Sequence, residues 1–368
     1  MRRWCLALLL LVCLLVPLGA AACSTGENPG TGATSSAGQT SNATTDQPKT
    51  TTTLVPGTWM AVKPHGSLPA GRLGGSLVCL AGSKRLVLFG GWGGSAGYYA
   101  DLWSFDLATD TWTDLKPSGT GPSARALQAM AYDPTSSKLI VFGGYDGKTY
   151  YDDTWAYDLT ANSWTAVRSG GVAPAARQGH SLVYDPVSKK MILFGGFNGR
   201  VEYNDTWAYD PALGTWKNLA PQGSLPDARD SQTMAYDPDD KVVLLFGGWS
   251  STVHYGDTWA YDPAQNTWTV IQAAGRGPTA RALAQMVYDP ATKRMVLFGG
   301  GTSSTTLSDV WLFDYAARSW TPTAATEGGP SARAGHGLVY ESSNNDLMMF
   351  GGSDGVGGYL NDLWRLQR

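Results

Sequence analysis

The sequence predicts an all-β fold, a six-bladed β-propeller with four antiparallel strands in each blade. Three observations support this prediction: a glycine pair that ends an apolar run six times, an Asp-x-Trp motif after each pair, and a second tryptophan nine residues later in five of the units. The unit recurs every 52 or 53 residues. Short apolar segments with such a period are typical of propeller blades.

Each unit carries the same residues at the same spacing. The glycine pairs are Gly90-Gly91, Gly143-Gly144, Gly195-Gly196, Gly247-Gly248, Gly299-Gly300 and Gly351-Gly352. The Asp-x-Trp motifs begin at Asp101, Asp153, Asp205, Asp257, Asp309 and Asp362. An arginine stands 18 residues before each glycine pair, at Arg72, Arg125, Arg177, Arg229, Arg281 and Arg333. Six units with one internal spacing indicate a repeated structural element.

Unit three shows the four strands expected of each blade. Asp185-Pro186 fits a tight turn between the first two strands, and Asp210-Pro211 lies in the turn between the last two. Because successive strands alternate in direction, the b–c and d–a connections lie on one face of the ring. Strands a to d are predicted at about His180–Tyr184, at Met191–Phe194, at about Thr206–Tyr209 and around Trp216.

The first segment of the repeat region supplies the strand that the last unit lacks. The chain ends at Arg368, before unit six reaches its second tryptophan. Gly57–Val62 matches the strand d sequence of Gly214–Leu219, and Trp59 lies thirteen residues before Arg72, as the other second tryptophans do before their arginines. We therefore expect the N-terminal strand to complete the last blade and to leave no open sheet edge there.

These motifs resemble the Kelch repeat: an arginine at the entry to strand a, the paired glycines, the Asp-x-Trp and the later tryptophan. The resemblance covers about residues 57–368 and implies a propeller. Kelch propellers serve many roles, so the resemblance does not name a ligand. In some of them, arginines at this point of the repeat line the binding pocket, which makes the six arginines candidate ligand-binding residues. The alternative is that each pairs with an aspartate such as Asp205 at the start of a nearby strand c.

The b–c connections differ between blades, and a ligand site is expected where blades differ. The residues that directly follow the first four glycine pairs are aromatic: Trp92, Tyr145, Phe197 and Trp249. Blades five and six have Gly301 and Ser353 there. An aromatic wall on an open face favours sugar stacking or a peptide groove. The alternative is that these rings pack onto adjacent loops.

The N-terminus predicts export and a membrane tether. Residues 1–22 contain two arginines, a short apolar run and small residues, as a secretory signal peptide does. The small residues before Cys23 resemble the lipobox of bacterial lipoproteins, which implies lipidation of Cys23; the alternative is an ordinary cleaved signal. Residues 23–56 would carry the lipid and a disordered Ser/Thr/Gly-rich linker. Residues 57–368 form the propeller.

Composition and motifs exclude several functions. A net charge of −3 leaves no basic surplus for nucleic acid. His180 and His336 share one repeat position, but no third metal ligand is evident, so neither a metal nor a cofactor is expected. Galactose oxidase also uses a Kelch-like propeller, and Cys79 is a poor candidate for the cross-linked cysteine of its copper site.

The predicted function is therefore binding. We expect an exported monomer on the extracellular or periplasmic face of a cell membrane, held by its lipid anchor and binding a protein or glycan ligand. The alternative is a carbohydrate-active enzyme, such as a sugar epimerase of the sialic-acid type, because a bacterial sialic-acid epimerase also resembles this fold.

Overall fold

The computed structural model describes residues 57–168, 170–323 and 328–367. These residues form six four-stranded antiparallel sheets around a central axis, which confirms the six-bladed propeller. The predicted signal peptide (1–22) and the whole predicted linker (23–56), including Cys23, lie outside the described residues. Within the described ranges, no helix is both long and apolar enough to span a membrane.

After the first described strand, which joins the last three in one sheet, the strands follow in chain order as sets of four, and one short 3-10 helix lies at Gly94–Ala96. The strands are β1 Thr58–Val62, β2 Ser76–Leu80, β3 Arg85–Phe89, β4 Leu102–Asp106, β5 Thr111–Asp114, β6 Ala129–Asp133, β7 Lys138–Phe142, β8 Thr154–Asp158, β9 Ser163–Val167, β10 Ser181–Asp185, β11 Lys190–Phe194, β12 Thr206–Asp210, β13 Thr215–Asn218, β14 Thr233–Asp237, β15 Val242–Phe246, β16 Thr258–Asp262, β17 Thr267–Ile271, β18 Gln285–Asp289, β19 Arg294–Phe298, β20 Val310–Asp314, β21 Ser319–Pro322, β22 Gly337–Glu341, β23 Asp346–Ser353 and β24 Tyr359–Gln367.

The strands of each blade run outward from the axis in the order a to d, and strands a of neighbouring blades contact each other around it. Strand b is the most buried, because neighbouring blades cover both of its faces; every residue of β15 is buried. The predicted strands of blade three agree with β10 to β13 to within about one residue at most ends. The Asp185 carboxylate accepts the Val187 amide hydrogen in the a–b turn, as its turn chemistry predicted.

The hydrophobic core consists of apolar layers between adjacent blades. The second tryptophan of each repeat lies in such a layer. The Trp268 ring packs with its centroid 5.0 Å from that of Phe194 in the preceding blade, and its indole donates to the Thr206 hydroxyl at 3.0 Å. Buried aromatic rings of this size therefore hold each blade against its neighbour.

The N-terminal strand closes the ring. Strand β1 pairs antiparallel with β24, with Trp59 opposite Leu366. Trp59 is buried, and its ring centroid lies 5.7 Å from that of Phe298 in blade five. The predicted closure of the last blade by the N-terminal strand is confirmed.

Candidate binding site on the loop face

The six repeated arginines are buried inside the blades. Arg177 donates to both carboxylate oxygens of Asp205, at 2.6 and 2.9 Å, and to the carbonyl of Gly195 at 2.9 Å. The Trp207 indole donates to the same Asp205 carboxylate at 2.7 Å. The arginine, glycine pair and Asp-x-Trp of a repeat therefore form one network. The six pairs are Arg72–Asp101, Arg125–Asp153, Arg177–Asp205, Arg229–Asp257, Arg281–Asp309 and Arg333–Asp362.

This network corrects the assignment of the arginines as ligand-binding residues. Their side chains are at most 1% exposed, and their donors are used within the blade. Burial by itself raises the pKa of Asp257, but the hydrogen bonds and charge of Arg229 outweigh burial and hold that pKa below its usual value. The scaffold alternative, pairing with the aspartate of strand c, is what the structure shows.

Four loop tyrosines also belong to the scaffold. The Tyr151 ring lies over the Arg125 guanidinium at 3.9 Å, and the Tyr255 ring over Arg229 at 3.8 Å. Tyr99 and Tyr203 cover the arginines of blades one and three in the same way. These rings cover the guanidinium groups and add cation–π attraction.

The aromatic residues that follow the glycine pairs lie elsewhere, on the surface formed by the b–c and d–a connections, here called the loop face. Trp92 exchanges two backbone hydrogen bonds with Leu73, both 2.9 Å long. Tyr145, Phe197 and Trp249 pair in the same way with Ala126, Gln178 and Asp230. All four rings are half-buried. The two connections of each blade thus hold each ring in a fixed place at the surface.

The b–c connections also touch one another around the face. The Tyr98 ring of blade one lies 6.2 Å from Tyr145 of blade two, and the Tyr150 ring of blade two lies 6.1 Å from Phe197 of blade three. Tyr359 of blade six lies edge-on to Trp92 at 5.0 Å. The sequence placed the aromatic surface on blades one to four, whereas the connected rings run from blade six through blades one and two to blade three.

Blade three interrupts this pattern with an acid. Glu202 occupies the position that Tyr98 and Tyr150 occupy in blades one and two. Its carboxylate accepts the Ser251 amide hydrogen of blade four at 2.8 Å. The junction between blades three and four is therefore polar where the neighbouring junctions are aromatic.

A closed ring of backbone hydrogen bonds surrounds the axis below these rings. Each amide donates to the carbonyl of the preceding blade at 2.7–2.8 Å, through Gly74, Leu127, Gly179, Ser231, Leu283 and Gly335. All six residues have φ between 56° and 66°, the left-handed region. Leu127 and Leu283 are thus held in a backbone conformation that is unfavourable for residues other than glycine.

A cavity of about 80 Å³, which opens to solvent, lies on the outer side of this ring. Its walls include the rings of Trp92, Phe197 and Trp249 and the side chains of Leu127 and Leu283. Tyr145 is not among its lining residues. Its lining is mostly apolar with a few polar groups, which is the composition typical of ligand sites.

The polar side of the cavity contains a buried carboxyl group that sequence reasoning missed. Asp230 is 4% exposed and accepts a hydrogen bond from the Ser231 hydroxyl at 2.5 Å. Burial, together with the charge of Glu202, raises the pKa of Asp230 to about 7. Nearby, Gln178 Oε1 is buried and accepts no hydrogen bond from any described residue. The sequence does single out Asp230, because it is the acidic residue among the six that directly follow the arginines. These six are Leu73, Ala126, Gln178, Asp230, Ala282 and Ala334.

The histidines at the shared repeat position lie away from the loop-face cavity. His180 and His336 line the central channel, and burial, with the charge of the adjacent arginine, lowers the pKa of each to about 3. In the described residues, no group of three or more His, Cys, Asp or Glu side chains could hold a metal ion. Cys79 is half-buried, and burial raises the pKa of its thiol to about 12.

The family comparison covers most of the chain. Residues 32–248, 128–300 and 291–367 match the KLHDC2/KLHL20/DRC7 Kelch-repeats domain. The chain is 30% identical over 197 residues to acyl-CoA-binding domain-containing protein 4 of Arabidopsis thaliana, which is 52% of this chain and 29% of that protein. It is 27% identical over 251 residues to Kelch domain-containing protein 3 of Bos taurus and of Homo sapiens, 64% of this chain and 63% of each relative. The match thus spans less than two thirds of each relative. These findings do not support the carbohydrate-active enzyme alternative.

Proposed function

Since the chain belongs to the Kelch-repeat family, we propose that it is a binding module that holds a segment of a partner protein on its loop face. The observation that carries this proposal is the cavity between the connected aromatic rings and the junction of blades three and four. The scaffold network is the same in all six blades, whereas this face differs from blade to blade. A ligand that is recognised once per molecule needs such a difference.

Exposed apolar side chains around the cavity favour a protein over a small polar ligand. Val201, Val253 and Val356 stand near the tips of the b–c connections of blades three, four and six, with 50%, 47% and 84% of their surface exposed. Together with the half-buried rings, they offer apolar area around a polar centre. Protein interfaces have this arrangement, with aromatic anchors at the centre of the contact.

A selection experiment tests this proposal. The full mature chain would be used to select binders from a displayed random-peptide library and, in parallel, would be applied to a glycan array. We expect peptides whose binding is lost with Trp92→Ala and kept with Leu213→Ala, because Leu213 is exposed on the opposite face of the ring. If glycans bound and no peptides did, the protein ligand of this proposal would be wrong and a sugar would take its place. Ligands that tolerate Trp92→Ala but not Leu213→Ala would contradict the loop face as the site.

We propose further that this module is exported and tethered to a membrane through Cys23. The support is the sequence of residues 1–22 and the small residues before Cys23. Cys23→Ser should move the protein from the membrane to the soluble fraction without lowering its melting temperature, because stable anchoring needs acyl chains. Labelling with a fatty-acid analogue should mark wild type and not the variant. Equal membrane retention of both would contradict the tether.

A further inference from the structure

Two acidic residues meet at one junction of the loop face. Asp230 of blade four is the acidic member of the six residues that follow the arginines. Glu202 of blade three is the acidic member of the six residues at its repeat position, which are Tyr98, Tyr150, Glu202, His254, Thr306 and Tyr359. The charge of Glu202 contributes to the raised pKa of Asp230, so the two carboxyl groups interact. The repeat thus places both acids at a single point of the ring.

Neither acid has a cationic partner among the described residues. Arg229 directly precedes Asp230 but donates to Asp257, and Tyr255 covers its guanidinium. Glu202 accepts a backbone amide hydrogen, and Asp230 accepts the Ser231 hydroxyl hydrogen. A buried carboxylate without a cation is costly. The six scaffold aspartates, by contrast, each have an arginine.

The geometry points to a positively charged side chain, a lysine or arginine of the protein segment, as the group that binds between Asp230, Glu202 and Trp249. This inference rests on the proposed function, because it assumes a protein ligand on the loop face. Trp249 exchanges backbone hydrogen bonds with Asp230, and its half-buried ring lines the same cavity. A cation there would contact a carboxylate and an indole ring at once, and both attract it.

The affinity for such a cation depends on pH with a defined sign. The carboxyl group of Asp230 loses its proton near pH 7, and only the ionised form attracts a cation. The other titratable groups packed at this junction are Glu202, His254 and the paired Arg229. Burial lowers the pKa of His254, so this imidazole gains its positive charge only at acidic pH. There it repels a bound cation, which adds to the weaker binding at low pH. Binding should therefore strengthen as pH rises from 6 to 8, by about tenfold for a group with a pKa near 7.

A pair of isosteric probes tests the inference with the full mature chain. Saturation-transfer NMR would measure Kd for Nα-acetyl-arginine amide and for the neutral Nα-acetyl-citrulline amide. We expect the arginine amide to bind about tenfold more tightly at pH 8. Asp230→Asn should remove this preference and its pH dependence. Asp227→Asn is the matched control, since Asp227 is an exposed acid of the same connection. Glu202→Gln supplies a second variant if Asp230→Asn does not fold.

The outcomes separate this inference from the proposed function. Equal binding of the two amides, or an unchanged preference in Asp230→Asn and Glu202→Gln, would overturn the cation site. If selected peptides still required Trp92, the protein-binding function would stand without it. If the arginine amide bound as expected but no displayed peptide did, the cation site would stand. The proposal that a protein segment is the ligand would then be wrong.

Discussion

The scaffold and the loop face of this propeller handle acidic residues in opposite ways. In the scaffold, Asp257 lies against Arg229 and the Trp259 indole, and its pKa lies below the usual value. On the loop face, Asp230 lies next to that same Arg229 in the chain but pairs with no cationic side chain in the described part of the protein, and burial raises its pKa to about 7. The aspartate that every blade repeats is neutralised within the blade, whereas Asp230, which appears once, has no such partner among the described residues.

Removal of the closing strand would affect the scaffold most. A chain that starts at residue 65 lacks β1, so β24 becomes an open edge and the layer around Phe298 loses the Trp59 ring. Truncation of such a ring alone costs about 3–5 kcal/mol, a large part of the stability of a typical domain. We expect this chain to melt far lower or to aggregate, with Trp59→Ala in between. A chain that starts at residue 55 is the control. Equal melting temperatures of the two shortened chains by calorimetry would contradict the role of the closure.

Loss of one scaffold carboxylate should come next. Asp205→Ala leaves the Arg177 guanidinium buried without its partner and the Trp207 indole without an acceptor. An uncompensated buried charge costs about 3–5 kcal/mol. Denaturant unfolding would measure the loss. The exposed neighbour Asn204 provides the matched control, since Asn204→Ala should change the stability by less than about 0.5 kcal/mol. If Asp205→Ala and Asn204→Ala lowered the free energy of unfolding by similar amounts, the buried ion pair would not be a main support of the scaffold.

Replacement of the loop-face acid should stabilise the protein, in a pH-dependent way. Because the pKa of Asp230 is raised from 3.8 to about 7, the folded state keeps a proton that the unfolded chain has already lost, and stability falls as pH rises through this window. Asp230→Asn cannot titrate, so its advantage over wild type should grow by about 2–3 kcal/mol from pH 5 to pH 8. Unfolding at both values tests this. Asp257→Asn should instead destabilise at both values, and an advantage of Asp230→Asn that shrinks with pH would contradict the assignment.

The smallest effect on stability should come from a ring of the face. Trp249→Ala removes a half-buried surface side chain and should cost about 1 kcal/mol or less. Trp268→Ala, in the same blade, removes a buried ring of the inter-blade layer and should cost about 3–5 kcal/mol. Melting temperatures of the pair give the comparison. If both variants lost the same stability, Trp249 would be a packing residue and the face would be scaffold as well.

The repeat made the fold predictable from the sequence. Six units with a common spacing defined the blades, and the distance from Trp59 to Arg72 matched the distance in the other units, which located the closing strand. Both the common spacing and the Trp59–Arg72 distance can be read directly from the order of residues in the chain. The strand bounds followed from apolar runs between turn residues.

The candidate site could be predicted only in part, because the spacing of residues in the chain does not show how deeply a side chain is buried. The interval between Arg177 and Asp205 shows that both lie at the same end of a blade, but not that the guanidinium is buried there beneath Tyr203. The raised pKa of Asp230 depends in part on the charge of Glu202, which lies 28 residues earlier in the chain and on another blade. Such contacts between loops leave no periodic signal.

Helices and sheets lose their hydrogen bonds first at their ends, by fraying. The circle of amide-to-carbonyl links through Gly74, Leu127, Gly179, Ser231, Leu283 and Gly335 has no end. No one of its links can open without a shift of the two blades that it joins. The six amides should therefore exchange with deuterium as slowly as those of the innermost strands, although they lie in connections. The floor of the loop-face cavity should stay rigid while the loop tips above it move.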